Sequence, residues 1–309
     1  MDVRPQTVQV ELTEGCPLFC RFCAVRVLGK KRGQYDFMTV ETAAVVAKAL
    51  GEFCQKARLK FAMHGEPLVN PDRFRILSLF RKAFPFTQIT LTTNGKALLD
   101  GNASAELEAL FVSGVNYVVV STYARHRAAL WKQVLPLVAG GSVTVVDWYA
   151  DRASDAPSLN FYSNQHSAVQ RTVVMMDDIS ERPDEDVIRK LSNQGGNSPA
   201  MPRRETPLAS SCLYPFSELS VCWNGAVYLC CNDWAKEYFV GSLLFQSPAE
   251  VWGGLPFEHA RDALCQNSRP FAPCRACDIS YSEELARTMP DVEVEVDRRS
   301  GELLKKRAR

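Results

Sequence analysis

Over its first 180 residues this 309-residue chain alternates short β-branched apolar runs with stretches of helical character. That alternation restricts it to a parallel sheet with helical crossovers. The pattern predicts strand over Val8 to Leu12, helix over Val40 to Phe53, strand over Leu59 to Met63 and helix over Pro71 to Ala83. It continues with strand over Gln88 to Thr93, helix over Ala103 to Ser113 and strand over Val115 to Ser121. Thr39 is a capping residue for the first helix, with Glu41 in its first turn. Ala124 to Val134 predicts a helix that Pro136 interrupts, Ser142 to Tyr149 a strand, and Thr172 to Met176 a sixth. About six such units are too few for a closed eight-stranded barrel.

The composition, 46% hydrophobic and 23% charged, suits a soluble protein with one large domain and a smaller one. No apolar run approaches the ~20 residues of a membrane span. The first ten residues mix Asp2, Arg4 and Gln6 with valines, unlike a signal peptide. Eleven cysteines in such a chain point to metal or redox chemistry in a reducing, cytoplasmic compartment, not to disulfides. A net charge of +1 gives no strong steering toward nucleic acid or membrane, and the basic loop (Arg26, Lys30, Lys31, Arg32) and tail (Lys305, Lys306, Arg307, Arg309) read first as solvated surface. Four histidines, none paired at finger spacing, argue against zinc fingers.

Cys16, Cys20 and Cys23 stand as C-x3-C-x2-C directly after the first predicted strand. Thiolates favour zinc, copper(I) or iron–sulfur clusters, and a closed zinc site or an ordinary [4Fe–4S] centre uses four protein ligands. Three leave one metal open to a small molecule. The spacing, with Phe22 before the last cysteine, resembles the signature of the radical S-adenosylmethionine (SAM) superfamily. The resemblance implies a partial (β/α)6 TIM-like barrel of the α/β class. It also implies a [4Fe–4S] cluster whose open iron binds SAM, and reductive cleavage of SAM to a 5′-deoxyadenosyl radical that abstracts a substrate hydrogen. Met63-His64-Gly65-Glu66-Pro67 after the second strand is similar to the family's GGEP segment, with His64 at the usual first glycine. By the same resemblance Gly65, Glu66 and Pro67 belong to the SAM site. Thr93 and Asn94, in Thr92-Thr93-Asn94-Gly95, and Ser121 at the end of the fourth strand join them. Asp147, Trp148 and Tyr149 end the fifth strand and are candidates for lining the substrate cavity.

Residues 181–211 turn to Asp, Glu, Ser, Asn, Gly and Pro and read as a linker or long loop between a barrel at 1–180 and a small domain at 212–280, with a tail at 281–309. In the small domain Asn224-Gly225 between two apolar runs signals a β-hairpin. Cys212, Cys230, Cys274 and Cys277 bracket that hairpin and a helical segment around Trp252 to Leu264. Four such thiolates suit a zinc ribbon as well as a cluster. The arrangement resembles the twitch form of the SPASM/twitch auxiliary-cluster domain, which implies an auxiliary [4Fe–4S] cluster. Cys231 is an alternative to Cys230 as ligand, because neighbouring strand residues point oppositely. With Cys230 as ligand, Cys231 is a candidate catalytic thiol for returning a hydrogen atom to a substrate radical, as related epimerases do.

The expected partners are an external one-electron donor and a small-molecule or peptide substrate. A nucleobase in DNA is the alternative, by resemblance to short phage radical SAM proteins. The expected outcomes are oxidation, epimerisation, crosslinking or isomerisation. A non-catalytic iron–sulfur or zinc interaction protein is the reading from a different class.

Overall fold

Strand parity decides the architecture. The computed structural model describes residues 4–18, 20, 22–122, 129–130, 132–134, 136, 144–147, 171–177, 192–280, 295–296 and 303–304. Six strands of the main sheet follow in the amino-terminal part: β1 (Thr7–Val10), β2 (Arg58–Phe61), β3 (Ile89–Thr93), β4 (Tyr117–Thr122), β5 (Thr144–Asp147) and β6 (Thr172–Asp177), with Thr13–Glu14 and Asp36–Phe37 pairing separately between the first two. Among the described residues the crossovers include α1 (Val40–Phe53), α2 (Arg73–Ala83), α3 (Lys96–Asp100) and α4 (Ala103–Val112). Thr39 caps α1 as its sequence suggests, its side chain accepting from the Thr42 amide at 3.1 Å.

Alternate strand residues point to opposite faces. Val8, Val10, Leu59, Phe61, Ile89, Leu91, Val118, Val120 and Val173 pack with Val46, Leu50, Ile76, Leu77, Phe80, Leu107 and Leu110 of the helices in one core. The opposite face carries Gln9, Lys60, Thr90 and Tyr117 in one register row. A parallel sheet buried on both faces is apolar on both. On this inner, lumen face the sheet here carries polar residues beside Val119, unlike the helix-facing side.

The α/β partial barrel is thus as expected, with two additions. The strand order at the far edge is β4-β6-β5, so the sixth strand lies between the fourth and the fifth. At the other edge β7 (Glu218–Val221) pairs in parallel with β1, in the register Thr7↔Glu218 to Val10↔Val221. It is followed by β8 (Ala226–Tyr228) and β9 (Phe239–Ser242) in antiparallel array. The small carboxyl-terminal part therefore continues the barrel sheet to nine strands. The Asn224-Gly225 hairpin forms as expected, with Gly225 at φ +77°, a conformation that favours glycine.

The helical segment expected around Trp252 is two helices, α6 (Pro248–Trp252) and α7 (Leu255–Cys265), after the short α5 (Tyr214–Ser217). Gly253 and Gly254 separate them, and Ser247 and Glu250 form a capping box at the start of α6. The helix expected over Ala124 to Val134 is described only at 129–130 and 132–134, which are helical. Trp148, Tyr149 and most of the tail lie outside the described residues; within the tail, 295–296 pairs with 303–304. Among the described residues no helix is long and apolar enough to cross a membrane.

Candidate active site

The loops at the carboxyl ends of β1, β2 and β3 meet. Gly15 and Gly65 form a parallel bridge, made by Gly15 N donating to His64 O (3.2 Å) and Glu66 N to Gly15 O (3.0 Å). No side chain fits at Gly65, since a Cβ there would lie 2.0 Å from Thr13 O and 2.7 Å from Gly15 O. Glu66 is buried, and its carboxylate gathers the neighbouring segments. Thr93 Oγ1 donates to one oxygen at 2.7 Å, the Asn94 amide to the other at 2.7 Å, and Leu68 N to the first at 3.0 Å. Burial pushes the Glu66 carboxyl up, and the three donors act against that. Pro67 opens the short helical turn that follows. Ser121 lies on the lumen side of β4 near its end, in the parity of Tyr117.

Asn94 completes the approach to the cysteines. Its Nδ2 donates to Cys16 Sγ at 3.3 Å, and Leu18 N approaches the same sulfur at 3.4 Å. Burial, as the largest cause, pushes Cys16 up to about 12 and Cys23 up to about 11. Bare thiolates are therefore disfavoured here. A bound metal cluster would deprotonate them outright, and N–H donors to sulfur suit one. The surroundings of Cys16 and Cys23 thus suit metal-bound sulfur.

Cys212, Cys230, Cys274 and Cys277 are each 6–7% exposed. The electrostatic neighbours of Cys230 are Cys231, Cys274, Cys212 and Cys277, whereas those of Cys231 are Glu218 and Lys60, with Gln9 also against it. The groups acting on Cys230 are thus the other cysteines, and those acting on Cys231 are polar residues of the lumen face. Among the described residues no three sulfurs of the quartet lie within 4.8 Å of one another.

Sequence reasoning missed three contributors to these sites. Arg269 is 2% exposed, donates to the carbonyls of Ser210 and Ser211 at 2.8 Å, and its charge acts on Cys212, Cys274 and Cys277. Asn193-Gln194-Gly195-Gly196, in the stretch expected as a linker, straps the two cysteine groups together. Asn193 Nδ2 donates to Ala276 O (2.8 Å) and its amide to Asp278 (2.8 Å), while Gln194 Oε1 accepts from Ala24 N (2.6 Å). A composition rich in Asn and Gly carries no signal for such a strap. Glu218, fully buried on the lumen face, is the third. Its Oε1 accepts from Gln9 Nε2 at 2.8 Å, and Oε2 has no hydrogen-bond partner among the described residues.

The comparisons agree with this geometry. A family model described as the radical SAM superfamily matches residues 10–137, and one described as an iron-sulfur cluster-binding domain, SPASM, matches 212–278. A GTP 3′,8-cyclase of Peptoclostridium acidaminophilum is 34% identical over 110 residues, 35% of this chain and 32% of the cyclase; the match spans about a third of that relative. The fold is similar to that of BtrN in complex with AdoMet and 2-DOIA, with TM-score 0.63 at 19% identity over 90% of this chain and 95% of that one. It is also similar to anSMEcpe with bound AdoMet, with TM-score 0.50 at 13% identity over 93% and 95%. This chain is a radical SAM superfamily enzyme with a carboxyl-terminal SPASM-type domain, and its cofactors are SAM and [4Fe–4S] clusters.

Proposed function

We propose that this enzyme removes a hydrogen atom from a C–H bond of a small polar molecule held in the lumen, and that Cys231 returns a hydrogen atom to the resulting substrate radical. The observation that carries this reading is the polar inner face, on which Gln9, Lys60 and Glu218 act on Cys231 while cysteines act on Cys230. The amino-terminal cluster and SAM, when bound, supply the electron and the carbon radical that start the reaction.

Cys16, Cys20 and Cys23 hold the first cluster in this reading, and Cys212, Cys230, Cys274 and Cys277 the auxiliary one. Gly65, Glu66, Pro67, Thr93, Asn94 and Ser121 shape the SAM site. Glu66 ties the Gly65 loop to the Asn94 loop, so both present their backbone to one ligand. Lys60 and Glu218 offer opposite charges to a substrate bearing amines and hydroxyls. Burial, then the Glu218 carboxylate, pushes the Cys231 thiol well above its ordinary range. It is kept as S–H, the form that donates a hydrogen atom. In that step the S–H bond breaks and a C–H bond forms. The sulfur radical left behind takes one electron from an external donor and one proton from solvent to return to S–H.

Electron removal from the substrate radical by the auxiliary cluster is the second reading, favoured by the adjacency of Cys230 to Cys231. The two separate in deuterium oxide. The enzyme is reconstituted anaerobically, reduced with SAM, and screened against amine- and hydroxyl-bearing small molecules and against peptides for substrate-dependent 5′-deoxyadenosine. Hydrogen return places solvent deuterium on the product carbon, whereas oxidation leaves an unlabelled product two electrons poorer. Stimulation by peptides alone would overturn the small-molecule assignment. The Cys16, Cys20 and Cys23 alanine variant is expected to form no 5′-deoxyadenosine while keeping the auxiliary iron.

A further inference from the structure

We infer that His64 is a positioning residue that couples the SAM loop to the auxiliary-cluster loop, so that SAM binding is felt at residues 230–237. The inference rests on the assignment of the two cofactor sites above and adds a connection between them.

His64 is fully buried and touches both loops. Its Nε2 lies 3.0 Å from the carbonyl oxygen of Cys231. A carbonyl only accepts, so that nitrogen carries the proton. Nδ1 lies 3.3 Å from Glu11 Oε1, an ion-pair approach off the hydrogen-bonding line, and the His64 amide donates to the same oxygen at 3.2 Å. The other oxygen of Glu11 accepts from Trp223 N at 3.3 Å and lies 3.6 Å from Lys236 Nζ, which also pairs with Glu14. Glu11, His64 and Cys222 bring potential metal donors within 4.8 Å of one another. Lys236 already brings a cation to that carboxylate, which favours a latch over a metal site.

The auxiliary loop also reaches back. The Trp234 ring lies tilted against His64, with centroids 4.7 Å apart, and packs with Ala24 and Val25, against which Cys16 and Cys23 also lie. One seven-residue span thus has Cys230 at the quartet, the Cys231 carbonyl on His64, Trp234 beside the first cysteines and Lys236 on Glu11. Met63, immediately before His64, sits at φ +86°, a left-handed conformation that costs a non-glycine residue energy. Surrounding contacts must hold that turn, and those of His64 are positioned to do so.

The test is hydrogen–deuterium exchange of the reconstituted holoenzyme with and without SAM. The amides of Asp233, Lys236, Glu237 and Tyr238 are hydrogen-bonded within the auxiliary loop and serve as reporters. In the wild type SAM is expected to slow exchange at 62–66 and at 230–237. In His64→Gly the effect at 62–66 persists, while that at 230–237 falls about fivefold, the factor one ordinary hydrogen bond confers. Equal SAM-induced protection at 230–237 in both proteins, or none there in the wild type, would overturn the coupling. Should His64→Gly lose auxiliary iron, His64→Gln is read in its place. It keeps an amide donor but loses the Glu11 pair, so it is expected to show reduced protection at 230–237, and undiminished protection there overturns the inference. Iron content and SAM affinity of the wild type test the cofactor assignment separately.

Discussion

Replacing Gly65 by alanine puts a methyl carbon where two backbone oxygens already stand. The new Cβ lies 2.0 Å from Thr13 O and 2.7 Å from Gly15 O. Carbon–oxygen contacts settle near ~3.3 Å, so the two loops must part by roughly 1.3 Å, and no side-chain rotation relieves the clash. Parting them breaks the hydrogen bonds from Gly15 N to His64 O and from Glu66 N to Gly15 O. At about 1 kcal/mol each that is ~2 kcal/mol of stability, or about 4 °C in Tm for a chain of this size. The effect on activity is larger. A misplacement of about 1 Å at a reacting site costs on the order of 100-fold, and this one moves the loop that carries Glu66. Gly253→Ala is the control, because its Cβ would meet only Ala249 O at 3.2 Å. The assay is 5′-deoxyadenosine formation at saturating reductant, with iron content and Tm measured on the same samples. If Gly65→Ala kept the wild-type rate within about threefold, the close apposition of these loops would not be what builds the SAM site.

Cys231→Ala is expected to keep about eight irons per chain, the content of two [4Fe–4S] clusters, whereas Cys230→Ala is expected to lose about four; the reverse result would exchange their roles. Arg269→Met is expected to lower the midpoint potential of the auxiliary cluster, because reduction adds negative charge that Arg269 now offsets. A buried charge at an effective dielectric of ~20 contributes about 2 kcal/mol, roughly 90 mV for one electron. Potentiometric EPR measures the shift, and Arg269→Lys, which keeps the charge, is expected to stay within about 30 mV of wild type.

The parts of this fold that the sequence made legible are those written in periodicity and spacing. Val8, Val10, Leu59, Phe61, Ile89 and Leu91 alternate with polar residues, and the alternation specified both the strands and their buried face. Cys16, Cys20 and Cys23 lie within one loop, so their association needed no tertiary knowledge. The strand order β4-β6-β5 was not legible, because parity says which face a residue takes but not which neighbour its strand finds. Cys230 and Cys231 are not told apart in the sequence for a related reason: adjacency gives two candidate thiols and no local pattern to choose between them. Arg269, Glu218 and Asn193 were invisible for a third reason. Each acts across 50 to 210 positions, through contacts with no local pattern to betray them.

The seat of β1 in the middle of the sheet bears on how the protein comes into being. Strand Thr7–Val10 is flanked by Arg58–Phe61 on one side and by Glu218–Val221 on the other. During synthesis its second edge stays open until some 210 further residues have emerged. Pairings so distant in sequence close slowly, and unpaired edges invite association with other chains. The loop bearing Cys16, Cys20 and Cys23 shares that wait, since Gln194, Ser198 and Trp234 hold it from the far end of the chain. These cysteines thus leave the ribosome about 170 residues or more before the partners that hold them, and iron delivered to them early meets a loop without its walls.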